Sequence, residues 1–222
     1  HRHYRRQRQM CIRDRLSPYI KMPKGTGGYI EFTGPRKPLY IYSLRLERGR
    51  GSEHSPEIGW KNSSRGFIKF MPLDNLSFSM MYQHEDEKDW LNWLDDNLLA
   101  AYERKQRTSI LELEWFHKNK HELRVKAQMV AFTGRDPVPY LGDQAGKLNP
   151  VNINLSPITI SELAFQVRYR YELMPLSYLY VVYSKGGRVS LQDDEEDLFN
   201  LYRRPWNSPE KENFTVKLRY RF

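Results

Sequence analysis

The stretch FTVKLRYRF, residues 214–222, alternates apolar and polar side chains up to a terminal aromatic. Successive side chains of a strand point to opposite faces, so Phe214, Val216, Leu218, Tyr220 and Phe222 share one face. Thr215, Lys217, Arg219 and Arg221 share the other. A soluble sandwich strand has the same period, but its polar face is seldom all Lys, Arg and Thr on a segment that closes on an aromatic. The closing strand of a membrane barrel has that form, and a tilted crossing strand needs roughly 9–11 residues. The expectation is an all-β, antiparallel, up-and-down transmembrane barrel, with a soluble β protein as the competing reading.

Working outward, the same alternation recurs. Leu163, Phe165, Val167, Tyr169 and Tyr171 alternate with Gln166, Arg168, Arg170 and Glu172. Leu111, Leu113 and Trp115 alternate with Glu112 and Glu114, and beyond the HKNK turn Leu123, Val125, Ala127 and Met129 alternate with Arg124 and Lys126. A hairpin folded about Asn119 sets Glu114 opposite Arg124 and Glu112 opposite Lys126. Such cross-strand pairs contribute on the order of 0.2–1 kcal/mol each, so they fix register more than stability. In a membrane barrel the charged set, Glu112, Glu114, Arg124, Lys126, Arg168, Arg170, Lys217, Arg219 and Arg221, faces the lumen and the apolar set faces lipid. In a small soluble barrel the two are exchanged.

The strands read from this pattern are 27–33, 38–48, 63–71, 75–83, 99–116, 121–133, 158–172, 176–185 and 213–222. Short turns at 34–37, 72–74, 117–120 and 173–175 alternate with long polar segments at 49–62, 84–97, 134–157 and 186–212, the rhythm of short periplasmic turns and long outer loops. HEDEKDWLNWLDDN, residues 84–97, reads as a loop with two aromatic anchors, and Gly186-Gly187 as loop entry. An odd number of strands implies further strands upstream. No apolar run reaches the roughly 18 residues of a helical span, and a mean hydropathy of -0.77 suits strands that are only half apolar.

The 222 residues carry a formal charge of +9, and Tyr 15, Phe 10 and Trp 5 make the chain aromatic. Trp60, Trp90, Trp93 and Trp206 fall in or beside the long segments, whereas Trp115, Tyr220 and Phe222 fall near the turns, as two interfacial belts require. Stacking on sugar rings is the alternative use of such rings. Much of the charge lies in residues 1–15, HRHYRRQRQMCIRDR, of which QMCIRDR, residues 9–15, resembles translated sequencing-adaptor read-through and is set aside as non-native; a true basic arm is the alternative. That removes Cys11 and leaves a thiol-free chain, as suits an oxidising envelope. Residues 16–26 form an irregular lead-in and 27–222 the barrel portion. With no secretory signal in view, the chain is expected to be the C-terminal part of a longer protein.

The segments RYRYELMPLSYLYVVYSKGG at 168–187, ELRVKAQMV at 122–130 and VKLRYRF at 216–222 resemble the C-terminal region of the family called domain of unknown function 5916, from about Gly27 onward. Tyr178 stands where members commonly carry an acidic residue. The resemblance implies a two-part envelope protein with a carbohydrate-binding family-nine-like β domain, not contained in this chain, and an outer-membrane barrel. It transfers no catalytic residues.

Neither a nucleophile elbow nor a phosphate-binding Gly loop occurs. His117 and His121 flank a turn without an evident third metal ligand, and DDEED at 193–197 reads as a solvated loop rather than a Ca²⁺ site. Tyr178 and Tyr180 are placed opposite Arg170 and Arg168. The expected function is therefore non-enzymatic: anchoring or solute passage in the bacterial outer membrane, without cofactor or metal. The expected partners are outer-membrane lipid and lipopolysaccharide, the barrel-assembly machinery through the last strand, and a carbohydrate through the domain outside this chain. Nucleic acid is not an expected partner. The alternatives are an outer-membrane hydrolase using His54 or His84 with loop serines, the C-terminal part of a receptor-coupled transporter, or a soluble basic β module that binds nucleic acid through Arg and Tyr.

Overall fold

A computed structural model describes residues 20, 24–35, 37–51, 59–118, 120–193 and 197–221. The adaptor-like segment, Cys11, His54, Asn119, Phe222 and the middle of the DDEED run lie outside the described residues. The chain is a ten-stranded antiparallel sheet with strands adjacent in chain order, an up-and-down meander. The strands are β1 (Thr26–Thr33), β2 (Tyr40–Arg50), β3 (Trp60–Leu73), β4 (Leu76–Asp95), β5 (Leu98–His117), β6 (His121–Gly142), β7 (Leu148–Pro150), β8 (Ile158–Met174), β9 (Ser177–Leu191) and β10 (Lys211–Arg219). One helix, α1 (Leu198–Asn207), lies between β9 and β10. β7 pairs only with the end of β6. The sheet is open: β1 and β10 are its edges, and every residue of both is exposed.

Hairpins form where the short turns were read. Asn75 ties the β3–β4 turn by donating from Nδ2 to the Phe116 carbonyl on β5 at 2.6 Å. The β8–β9 turn runs through Pro175 and Leu176, and Leu176 holds φ at 67°. A left-handed conformation costs a side-chain-bearing residue about 1–2 kcal/mol, whereas glycine adopts it freely. Leu176→Gly should therefore raise the urea midpoint, by less than about 1 kcal/mol once glycine's chain entropy is subtracted.

At the other end the sequence reading needs correction. Residues 84–97 are not a loop: β4 runs unbroken to Asp95 and turns through Asp96 and Asn97 into β5. Their polarity conceals a strand because the charges are consumed across the ladder, with Arg104 of β5 on Glu85 and Glu87, and Lys61 of β3 on Glu85. Likewise β6 extends to Gly142 and β9 to Leu191, so the segments 134–157 and 186–212 are largely ordered.

The core sits at this far end. Ile20, from the lead-in, packs with Leu91, Leu99, Ala101 and Tyr140, and Leu148 of β7 closes over them. Between β6 and β7, Asp143 organises a turn: its Oδ1 accepts from the backbone N–H of Lys147 and of Ala145, both at 2.9 Å, and Asn149 donates to Oδ2. These bonds, Lys147 foremost, hold the Asp143 carboxyl below its ordinary value. A depressed carboxyl pKa contributes order above the unfolded carboxylate range and loses it as pH falls through the folded value. The protection factors of the Ala145 and Lys147 amides, which remove the intrinsic pH dependence of exchange, should fall over that acid window, and Asp143→Asn should remove that fall.

Candidate functional site

The pairing sorts the lower, turn-side half of the sheet into two chemically opposite faces. On one lie Ile30 and Phe32, Leu44 and Leu46, Ile68 and Phe70, Phe78 and Met80, Leu111 and Leu113, Val125 and Ala127, Val167, Val181, and Phe214, Val216 and Leu218. Among the described residues no second layer covers this band on β1–β4 or β10, where Ile30, Leu44, Phe78, Met80, Phe214 and Leu218 are all exposed. Single exposed apolar residues are ordinary on a protein surface, but a continuous band across a whole sheet is not.

The opposite face is a ladder of ion pairs. Glu112 meets Lys126 at 2.8 Å and Glu114 meets Arg124 at 3.7 Å, in the register that the alternating charges imply. The pairing propagates sideways: Lys69 approaches Glu114, Arg124 bonds Glu122 at 2.6 Å, and Glu122 bonds Arg170 at 2.7 Å. On β4 the ladder face is the sheltered one, since Ser79 and Met81 are buried while Phe78 and Met80 are exposed. Arg168 pairs rung to rung with Arg124, and neither Arg168 nor Lys217 nor Arg219 has a carboxylate partner among the described residues. Two like charges directly opposite repel, so this corner of the ladder carries uncompensated positive charge. Tyr178 and Tyr180 sit one rung away from the expected places: Arg170 faces Tyr180, Arg168 faces Val182, and Glu172 faces Tyr178. The Arg170 guanidinium nonetheless lies 5.3 Å from the Tyr178 ring centre.

At the turn end the band finishes in stacked rings. Trp115 stacks on His117 at 5.7 Å, His121 on Tyr171 at 4.7 Å, and His121 Nδ1 is 2.7 Å from the Tyr169 hydroxyl. Both histidines thus sit in ring stacks, and no three candidate ligands gather among the described residues. At the upper end the belt assignment needs revision. Trp206 packs on Phe165 at 5.4 Å and Trp60 lies under Arg48, both partly exposed. Trp90 instead turns toward the ladder side, against Phe132 at 5.1 Å and Tyr102, because a register shift between Glu87 and Trp90 re-aims it. Trp93 donates to the Asp96 carbonyl at the hairpin tip, about 40 Å along the strand from Met80 at 3.3 Å per residue, too far to mark the same boundary.

α1 was not foreseen, and it ends the band. Asp197 caps it by accepting from the Phe199 N–H at 3.0 Å. Ser161 donates to the Leu201 carbonyl, Ser109 and the Tyr202 hydroxyl lie 3.1 Å apart, and Thr159 donates to the Asp193 carbonyl at 2.6 Å. These small hydroxyl residues occupy the apolar face, so the helix lies on that side of the sheet. Leu163, between Ser161 and Phe165 on the same face, is buried rather than available to lipid. Gly187 admits the helix: a Cβ there would stand 2.9 Å from the Pro205 carbonyl oxygen and 3.1 Å from Pro209 Cα. The pair read as loop entry is thus strand, with one glycine demanded by close approach.

His84 lies across from Ser64, yet no hydrogen bond joins them among the described residues, so no nucleophile and base assemble there. Among the described residues no helix is long and apolar enough to cross a membrane. No family model, no curated protein and no solved structure matches the chain.

Proposed function

We propose that this chain forms part of the wall of a bacterial outer-membrane β-barrel, with the apolar band against lipid and the ion-paired ladder toward the lumen. The observation that carries the reading is the uncovered band itself. With its rings included the row runs from Tyr40 to Leu46 on β2 and from Phe165 to Tyr171 on β8, which approaches the roughly 9–11 residues of a tilted crossing strand. In water that face would forfeit the hydrophobic stabilisation that lipid supplies, whereas the ladder gains from water or counter-charges on its own side.

The resemblance to the domain of unknown function 5916 family supports the same assignment and adds a carbohydrate-binding domain outside this chain. The barrel-assembly machinery would engage the exposed β10 edge. The protein's role is anchoring or solute passage, and the unpaired Arg168, Lys217 and Arg219 favour anionic solutes.

Cysteine accessibility tests the inside-out assignment. With Cys11 replaced by serine, Leu113→Cys should react only with a membrane-soluble maleimide and Lys126→Cys only with a water-soluble one, in the full-length protein in native membranes. The reverse pattern overturns the proposal. In planar bilayers, charge reversal at Arg168 and Lys217 should shift selectivity from anions toward cations.

A further inference from the structure

The outward side of α1 leaves the Phe199 and Arg203 side chains exposed, and its composition is specific. Phe199, Arg203 and Trp206, spaced i, i+4 and i+7, form one exposed stripe, while Leu201 and Pro205 are buried against the sheet. Phe199 is 70% exposed, an unusual position for a phenylalanine on a helix that already has an apolar side for the sheet. The helix is not a loosely held loop. The Ser161, Ser109 and Thr159 contacts pin it and its flanking chain at three points, and Gly187 provides the space beneath it. The stripe is also continuous with the band, since Trp206 touches Phe165 and the Lys185 ammonium lies 4.7 Å from the Trp206 ring centre.

We infer that α1 is an interfacial helix fixed to the barrel wall, with its stripe seated in the headgroup layer of an anionic, phosphate-bearing lipid leaflet. The inference rests on the membrane assignment above and deepens it by naming the lipid contact. Phe199 and Trp206 insert at the boundary between acyl chains and headgroups, at a depth of about 5–10 Å. Arg203 and Lys185 flank the rings and meet lipid phosphates. On a zwitterionic surface each phosphate is already neutralised by its own headgroup cation, whereas two protein cations are drawn to net negative charge, so the occupant is an anionic lipid surface. The helix thus marks the upper limit of the hydrocarbon on β5 and β8, where the apolar face changes to Ser109 on the one and to Ser161 and Thr159 on the other.

Depth-dependent fluorescence quenching decides it. In the full-length protein reconstituted into vesicles, every tryptophan other than Trp206, with Trp60, Trp90, Trp93 and Trp115 among them, is changed to Phe so that Trp206 alone reports. Lipids brominated near the headgroup should quench Trp206 more than lipids brominated near the chain end, and Leu113→Trp in a Trp206→Phe background should show the opposite order. Arg203→Glu should weaken the Trp206 quenching in vesicles containing anionic phospholipid and leave it unchanged in zwitterionic ones. Quenching of the Leu113 reporter without any quenching of Trp206 overturns the interfacial helix while the barrel stands. Quenching of neither overturns both. Equal effects of Arg203→Glu in the two lipids refute the phosphate contact. Far-ultraviolet circular dichroism of each variant confirms that the sheet is retained, and Phe199→Ser, an exposed change that leaves the pinned side intact, should reduce Trp206 quenching independently.

Discussion

Replacing Arg104 with methionine is expected to destabilise the folded sheet by about 3–5 kcal/mol, the usual penalty for leaving a buried charge without its partner. Arg104 Nη2 lies 2.6 Å from Glu85 and 3.2 Å from Glu87, and the Glu87 side chain is only 2% exposed. The arginine reaches both carboxylates through Nη2, hydrogen-bonding Glu85 and ion-pairing with Glu87, and lies 5.6 Å from the Trp90 ring centre, so methionine removes the shared charge and the ring contact together. Urea unfolding in detergent micelles measures the loss. Adding Glu87→Leu and Glu85→Gln to the Arg104→Met background should recover most of it, because the cost comes from orphaned charge rather than from lost packing. A single variant within about 0.5 kcal/mol of the parent would mean that water reaches Glu87, and the desolvated triad would not exist.

Met80→Arg is expected to cost about 2–4 kcal/mol in lipid vesicles, the penalty for arginine at the lipid face near the bilayer midplane. Met80 is 40% exposed, so in water the same change would fall within about 0.5 kcal/mol. That contrast makes it the sharper test of what covers the band. Leu73→Arg, near the turns, should cost only about 0–1 kcal/mol, as interfacial positions do. Equal small effects at both positions would place the band in water.

The lower half of the fold was legible because each strand there carries its own address. Alternation names the face, the turn residues name the ends, and Glu112, Glu114, Arg124 and Lys126 name the register. The upper half lacks those signals. Residues 84–89 are polar on both faces, so no period separates strand from loop there, and the Arg104 that organises them is contributed by the next strand. The helix hid in a segment containing Gly186, Gly187, Pro205 and Pro209, although Asp197 before Leu198 and Leu201 is a capping signal. Trp90 and Trp93 were assigned to a belt by proximity to polar residues alone; a register shift and the distance along β4 place them elsewhere. Leu163 shared the band's period and lost its place in it only because a distant helix folds over it, which no local pattern reveals.

The two bare rims of the sheet have a consequence for assembly. Each presents a row of amide and carbonyl groups with no partner across the ladder among the described residues, and hydrocarbon offers such groups none, at several kcal/mol per group. If the band faces lipid as proposed, a wall greasy on one side cannot enter a bilayer first and zip shut afterwards. Its rims would then have to find neighbouring strands as the greasy side sheds water, making closure and insertion one event.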